Sequence, residues 1–593
     1  MTQERRQLTT IGILMGIAAV VMGLVMLVES MIAGACGQRP TARNPIAALE
    51  LLFTGKTDGY LVPDGCTVPV AGIQITAAAI AIAAIALLVA GLIAYTRWRH
   101  SDAGFIAELQ ARSGFADRQE VRKHLSAKAM LARAAQLRPG LQRPRPTDVG
   151  WQVGQSRGTD VYVSIEDSVA LEGPPRSGKG YRILISAILD WSGPLITTST
   201  TNDNLTATLR MRQARGDVHV FDPQGLSGMR DVTRIDPIAG CEDPLVAMQR
   251  GAAIVTGTAL GASSTNQEWA QAAGTILSRL LHAAAVGGRT VKDLYNWAST
   301  PGLAEAAVDI LRYDGAPGWG ESLHAVLSGD EKLLSNTWFG VQGAVAPLAV
   351  PAIRDALLPQ EGGRRFDVEE FLSGQNTLYL LGTASGAGAM GGFLSAILDD
   401  VVEVARRKAL ASPSSRLQLP LGLMLDEIVN MFRWGGLPRA MADGGGRGIC
   451  TFVVLQALSQ AETAWSRAEA DTIWAAATAK VLLGGASHVD HLRDIEALLG
   501  QREVHRVSES WSTTSSGSNM SEQHERRPLM TVDEIRRMPP SLGLLAYRNR
   551  RGVLLDLSGW DARDDAAQVR AGKARTEAEQ HEVFSAAYRG ERP

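Results

Sequence analysis

Residues Leu171–Gly180 read LEGPPRSGKG, and this stretch decides the fold. It follows an apolar run, Val161–Val169, expected as a strand, and precedes a helical run, Tyr181–Leu189. Gly173, Gly178 and Lys179 satisfy the phosphate-loop pattern G-x-x-x-x-G-K-[ST] at every position but the last. There Gly180 stands where a Ser or Thr hydroxyl would touch Mg²⁺. Glycines let the backbone close around phosphates, and the N–H groups of the loop and the following helix point at the anion. The expected nucleotide-binding residues are therefore Gly173, Pro174, Pro175, Arg176, Ser177, Gly178, Lys179 and Gly180, with ATP and Mg²⁺ as ligands. Lys179 would place a mobile positive charge on the β- and γ-phosphates.

Downstream, Gly193–Ser199 reads as a strand, Leu205–Ala214 as a helix and Asp217–Phe221 as a strand that breaks at Asp222–Pro223. Short apolar strands alternating with helices argue for a parallel α/β sheet. Asp222, at a strand's carboxyl end, either faces the ligand crevice of such a sheet or serves the turn. From 265 to 353 the strand signals stop, and helices joined by Gly/Pro turns predict an all-helical insertion. Strands resume at Thr377–Leu381, and LGLMLDEIVN at Leu421–Asn430 supplies the second landmark. An apolar strand ending in two carboxylates is what a phosphate-loop ATPase needs opposite its loop. Asp426 would hold Mg²⁺ through water, and Glu427 would prepare the attacking water. The strand ICTFVVL ends at Gln456, placed to sense the γ-phosphate. Arg447, on the glycine-rich turn GGGRG before that strand, could reach a neighbouring subunit's nucleotide as an arginine finger. Ala479–Leu483 would complete the sheet.

Toward the amino terminus the chain turns apolar. With 593 residues, 45% hydrophobic, and a net charge of −2, it is long enough for several folding units, and its global charge advertises no nucleic-acid partner. Residues 1–100 are expected to be a membrane anchor with two helices, about 7–28 and 71–95, each long enough to cross a bilayer. Arg5 and Arg6 before the first, and Arg97 and Arg99 after the second, place both termini in the cytoplasm and residues 32–70 outside. In that outer loop, Cys36 and Cys66 suit a disulfide, which an oxidising exterior permits and a short loop needs. Residues 101–150 read as a basic juxtamembrane helical linker, fit for anionic lipid or DNA, or simply solvated. The nucleotide-binding domain would take 151–264 and 354–560, around the insertion at 265–353. Ser508–Glu522 is low-complexity and reads as a loop, and 561–593 as a charged, disordered tail.

The two apolar spans, GPPRSGKG, a strand followed by Asp-Pro, a helical insertion, LMLDE, GGGRGI, VLQALSQAE and AKVLLGGAS occur in this order. That order resembles the type IV secretion coupling proteins, the TraG/TraD-like conjugative DNA-transfer ATPases, over residues of about 100–560. The resemblance implies a RecA-like motor in the cell membrane that assembles as a hexamer. Its implied partners are a relaxase–DNA complex or protein effectors, and the components of a secretion channel. It also implies the nucleotide roles of Gly173–Gly180, Asp426, Glu427 and Gln456, the trans-acting role of Arg447, and a tolerance for Gly180, with water in place of the missing hydroxyl. Two other readings fit the same motifs. One is another membrane-anchored motor, an FtsK-type translocase or a protein-secretion ATPase. The other is a docking receptor that binds ATP and hydrolyses little of it.

Overall fold

A computed structural model describes residues 3–43, 46–262, 266–359, 366–511 and 518–589. The chain divides into two units, 1–113 with 501–527, and 114–500 with 528–593.

The larger unit is built on an eleven-stranded sheet. In chain order its strands are β1 (Gly150–Ser156), β2 (Thr159–Ser164), β3 (Val169–Glu172), β4 (Leu195–Ser199), β5 (Val218–Phe221) and β6 (Thr377–Leu381). They continue with β7 (Leu421–Leu425), β8 (Ile449–Leu455), β9 (Ala479–Leu483), β10 (Leu542–Tyr547) and β11 (Val553–Asp556). Across the sheet the order is β2-β1-β11-β10-β9-β3-β8-β7-β4-β6-β5. The block from β9 to β5 is parallel throughout. Its central strands β3, β4, β6, β7 and β8 are buried along their whole length, which is why they read as continuous apolar runs.

The sheet is mixed, which corrects the expectation of a purely parallel one. Four antiparallel strands extend it beyond β9. The run expected as one strand, Val161–Val169, is also two, β2 and β3, separated by a bend at 165–168. β2 closes a hairpin with β1, whereas β3 sits at the centre of the parallel block.

Helices begin earlier than expected, at Pro244 rather than 265, and continue to Phe371. This region is fused to the sheet and shares its core. Leu277, Leu281, Val341 and Val345 pack in one apolar cluster with Ile196, Phe221, Leu378 and Leu423. Residues 114–137 are also part of this unit. They form three short helices, the first two started by the side chains of Asp117 and Ser126. Val121, Leu125, Met130 and Leu137 bury against Trp151, Val163 and Leu555 of the antiparallel strands. Arg133 pairs with Glu166 at 2.5 Å and Arg138 donates to Ser192 at 2.7 Å, so part of the basic charge is spent inside the fold.

The tail is ordered as well, which corrects a second expectation. Ala566–Tyr588 is a helix lying along the helix Asp203–Gln213. Val569 is buried with Ile185, Leu189 and Ala207. Arg563 pairs with Asp190 at 2.8 Å, and Gln580 bonds Thr206 at 3.0 Å and the Ser227 carbonyl at 2.8 Å. The segment reads as a solvated appendage because its partners lie more than 350 residues away in sequence.

In the smaller unit Gln3–Cys36 and Val70–Arg99 are helices. Among the described residues, one helix, Val70–Arg99, is long and apolar enough to cross a membrane, and Val21–Cys36 is a shorter apolar stretch. Two spanning helices are therefore not established. Between them a disulfide joins Cys36 to Cys66, with Cα atoms 5.6 Å apart, beside a small core of Val28, Ile32, Leu51, Tyr60 and Ile73. Gln501–Trp511 and Ser518–Pro528 pair as two strands where a loop was expected, and 512–517, the middle of that stretch, lies outside the described residues.

Candidate nucleotide site

The loop Gly173–Lys179 leaves the carboxyl end of β3, flanked by β8 and β9. Its first residue is closely surrounded. A Cβ on Gly173 would stand 2.8 Å from Ser177 Oγ and 2.9 Å from Leu483 Cδ1. Arg176 and Gly178 adopt φ of 64° and 86°, a left-handed turn that folds the loop back on itself. A helical turn starts at Gly180 and continues through Ile185–Asp190, so the loop ends on a helix amino terminus. Ser177 Oγ is buried with no hydrogen-bond partner, an open valence inside the loop.

The acidic pair arrives from β7, two strands away across β8. Glu427 sits at φ 51°, a conformation that costs a non-glycine residue about 1–3 kcal/mol and turns its side chain toward the loop. Its carboxylate is 3.8 Å from Lys179 Nζ. Gln456, just past β8, donates from Nε2 to Glu427 Oε1 at 3.1 Å, and the Thr200 hydroxyl donates to Oε2. Asp426 is 6% exposed. Asn204 Nδ2 donates to its Oδ2 at 2.9 Å, while Oδ1 has no partner. Burial, with repulsion from Glu427 second, pushes the Asp426 carboxyl up to about 7. An enclosed carboxylate with one unmade bond and a raised pKa is a group that a cation would satisfy. Loop and carboxylates line one cleft of about 690 Å³.

Of the residues expected from sequence, the structure brings Lys179, Asp426, Glu427 and Gln456 together with the phosphate loop. Arg447 is elsewhere. It lies in the turn preceding β8, at the amino-terminal end of the strand whose carboxyl end leads to Gln456. Seven residues of strand separate the two ends by roughly 20 Å, so Arg447 does not enter its own chain's cleft. Asp222 serves the turn: its carboxylate accepts the N–H groups of Leu226 and Ser227. Thr200, Asn204, and Lys573, Glu577 and Gln580 of the tail helix also line the cleft or touch its carboxylates, and sequence reasoning missed them all. Polar residues after a strand carry no spacing rule that would single them out.

A phosphate loop between strand and helix, facing a carboxylate pair at the end of a strand two places along the same sheet, defines the class of phosphate-loop α/β proteins. Two family models match within it. "Type IV secretory system Conjugative DNA transfer" covers residues 118–285, and "TraM recognition site of TraD and TraG" covers 420–540. The resemblance to type IV coupling proteins read from the sequence is thereby borne out.

Solved structures agree on the fold. The bacterial conjugative coupling protein TrwB in an unbound form is 18% identical, with a TM-score of 0.51 over 69% of this chain and 88% of that one. TrwB in complex with ADP and Mg²⁺ is 17% identical, TM-score 0.51, over 72% and 91%. TrwB with the non-hydrolysable ATP analogue ADPNP is 16% identical, TM-score 0.51, over 70% and 90%. No curated protein matches the chain.

Proposed function

We propose that this chain is a membrane-anchored coupling ATPase that feeds a DNA–relaxase complex or protein substrate to a type IV secretion channel. The observation that carries the ATPase half is the convergence of Lys179, Asp426, Glu427 and Gln456 on one cleft at the mouth of the phosphate loop. The complexes of TrwB with ADPNP and with ADP and Mg²⁺ support ATP and Mg²⁺ as the ligands. The coupling half rests on the two family matches. Both apolar helices, Gln3–Cys36 and Val70–Arg99, are read as spans of the inner membrane, with the loop between them outside and both termini in the cytoplasm.

In this reading the Lys179–Glu427 pair is the resting arrangement. An incoming triphosphate offers Lys179 a denser negative charge, and the lysine leaves Glu427 for the β- and γ-phosphates. Glu427, still held by Gln456 and Thr200, is then free to accept a proton from water aligned with the γ-phosphate. Mg²⁺, when bound, neutralises charge on the phosphate oxygens, and Asp426 is the group to hold it, through water. Arg447 would complete the site of a neighbouring subunit, which requires a ring such as a hexamer.

The test is ATP hydrolysis by the full-length protein in detergent, with and without single-stranded DNA, beside Glu427→Gln. Turnover stimulated by DNA and lowered about 10²–10⁴-fold in the variant is expected. Turnover unchanged in the variant would overturn the assignment of Glu427. One observation, the missing hydroxyl at Gly180, favours the docking receptor, and strong Glu427-dependent turnover excludes it.

A further inference from the structure

Position 180 lacks the oxygen that a phosphate loop places beside its cation, yet an oxygen lies next to that position. Outside its own helix and chain neighbours, a Cβ built on Gly180 would find one heavy atom within 4 Å, Oδ1 of Asn204, at 3.6 Å. Asn204 is 3% exposed, in the first turn of the helix Asp203–Gln213 that follows β4. Its two ends face different partners: Nδ2 donates to Asp426 Oδ2 at 2.9 Å, and Oδ1 is the end that lies beside Gly180 in the loop. Among the described residues no hydrogen bond reaches Oδ1, and Asn204 lines the cleft. The carboxamide thus bridges the two positions, 180 and 426, whose side chains flank the cation in a phosphate-loop site. Asp426 Oδ1 is itself buried and without a partner.

We propose that Asn204 supplies the oxygen that Gly180 does not: Oδ1 is a neutral ligand for the cation of the ATP complex or for a water bound to it, while Nδ2 holds Asp426 in place. Hard divalent cations take amide carbonyl oxygens readily, and a neutral one adds no repulsion to the two carboxylates already there. Glycine at 180 and asparagine at 204 then form one unit, because the open space at 180 is what gives the carboxamide access. A serine side chain at 180 and the asparagine at 204 would be alternative sources of the same oxygen.

The proposal rests on the ATP reading, and the experiment separates the two. Affinity for a fluorescent ATP analogue is measured on the full-length protein with Mg²⁺ and with EDTA, and bound Mn²⁺ is followed by electron paramagnetic resonance. Wild type is expected to bind more tightly with Mg²⁺; no binding in either medium would sink the ATP reading itself. In Asn204→Ala the gain from Mg²⁺ should shrink about 10-fold while the EDTA affinity, which also reports folding, stays the same. Adding Gly180→Ser to that variant should bring the gain back, since φ at 180 is ordinary and the site is open. A gain unchanged in Asn204→Ala would overturn the proposal. So would a loss that the added Gly180→Ser change fails to repair, which would leave Asn204 as a prop for Asp426 alone. Should Asn204→Ala not fold, Asn204→Asp, of equal size, decides the matter. Tighter Mn²⁺ binding supports an oxygen on the ion, and weaker binding, from two carboxylates competing for one proton, overturns it.

Discussion

Asp426 and Arg212 are charged residues enclosed in the same unit at opposite ends of the parallel block of strands, and the fold treats them in opposite ways. Arg212 lies at the amino-terminal end of β4 and β6 and is fully buried. Its guanidinium donates to Thr377 Oγ1 at 2.7 Å and to the carbonyls of Trp191 at 2.6 Å, Gln375 at 3.0 Å and Gly193 at 3.3 Å. Those carbonyls belong to the loops that lead into the strands, so one side chain ties the floor of the sheet together. At the carboxyl-terminal end Asp426 has a single side-chain donor, an oxygen without a partner, and a neighbouring carboxylate. A buried polar group that is fully bonded stabilises the fold, whereas one left open costs stability. The floor is bonded throughout, and the rim keeps an acceptor unmade.

This contrast is breakable. The largest effect is expected at the floor. Arg212→Ala orphans those carbonyls and opens a cavity, and should lower unfolding stability by about 3–5 kcal/mol, read from denaturant midpoints. A loss below about 1 kcal/mol would show that the loops hold without it.

At the rim the sign should reverse. In the protein free of metal and nucleotide, the Asp426 carboxyl titrates near 7, above its usual value of 3.8. The folded state therefore binds this proton more tightly than the unfolded chain. Its contribution to stability is fully present below about pH 4 and is lost as pH rises from there to 7. Asp426→Asn should flatten that slope and stabilise the protein near pH 7 by on the order of 1–4 kcal/mol, checked by melting temperature against pH. An unchanged slope would mean that the carboxylate is already satisfied.

The smallest change concerns the tail helix, which borders the rim. Gln580→Ala removes bonds to Thr206 and to the Ser227 carbonyl and should cost about 1 kcal/mol, seen as faster amide exchange across 566–588. Exchange unchanged from wild type would show that Val569 and the ion pairs Arg563–Asp190 and Arg210–Glu579 suffice to dock the helix.

The phosphate loop, the strands around it and the carboxylate pair were legible because each is a local pattern. Gly178 answers a local backbone demand, and the continuous apolar runs of β3, β7 and β8 reflect burial on both faces. The antiparallel extension was not legible, since a half-buried strand such as β1 has no local mark of which edge it will join. The tail failed for a related reason. Its charges look solvated until Asp190 and Arg210 are placed opposite them.

By itself, then, the sequence determined where the phosphate-loop pattern lies, which strand ends in carboxylates, and that a parallel α/β block lies between them. Backbone geometry and hydrophobic burial are written at spacings of a few residues, so a linear reading reaches them. Tertiary structure alone decided that Asn204 stands against Gly180, that Gln456 and Thr200 hold Glu427, and that the tail covers the helix beside it. Each depends on bringing together segments separated in the chain, in several cases by more than 200 residues, and hydrogen bonds between such segments leave no periodicity in sequence.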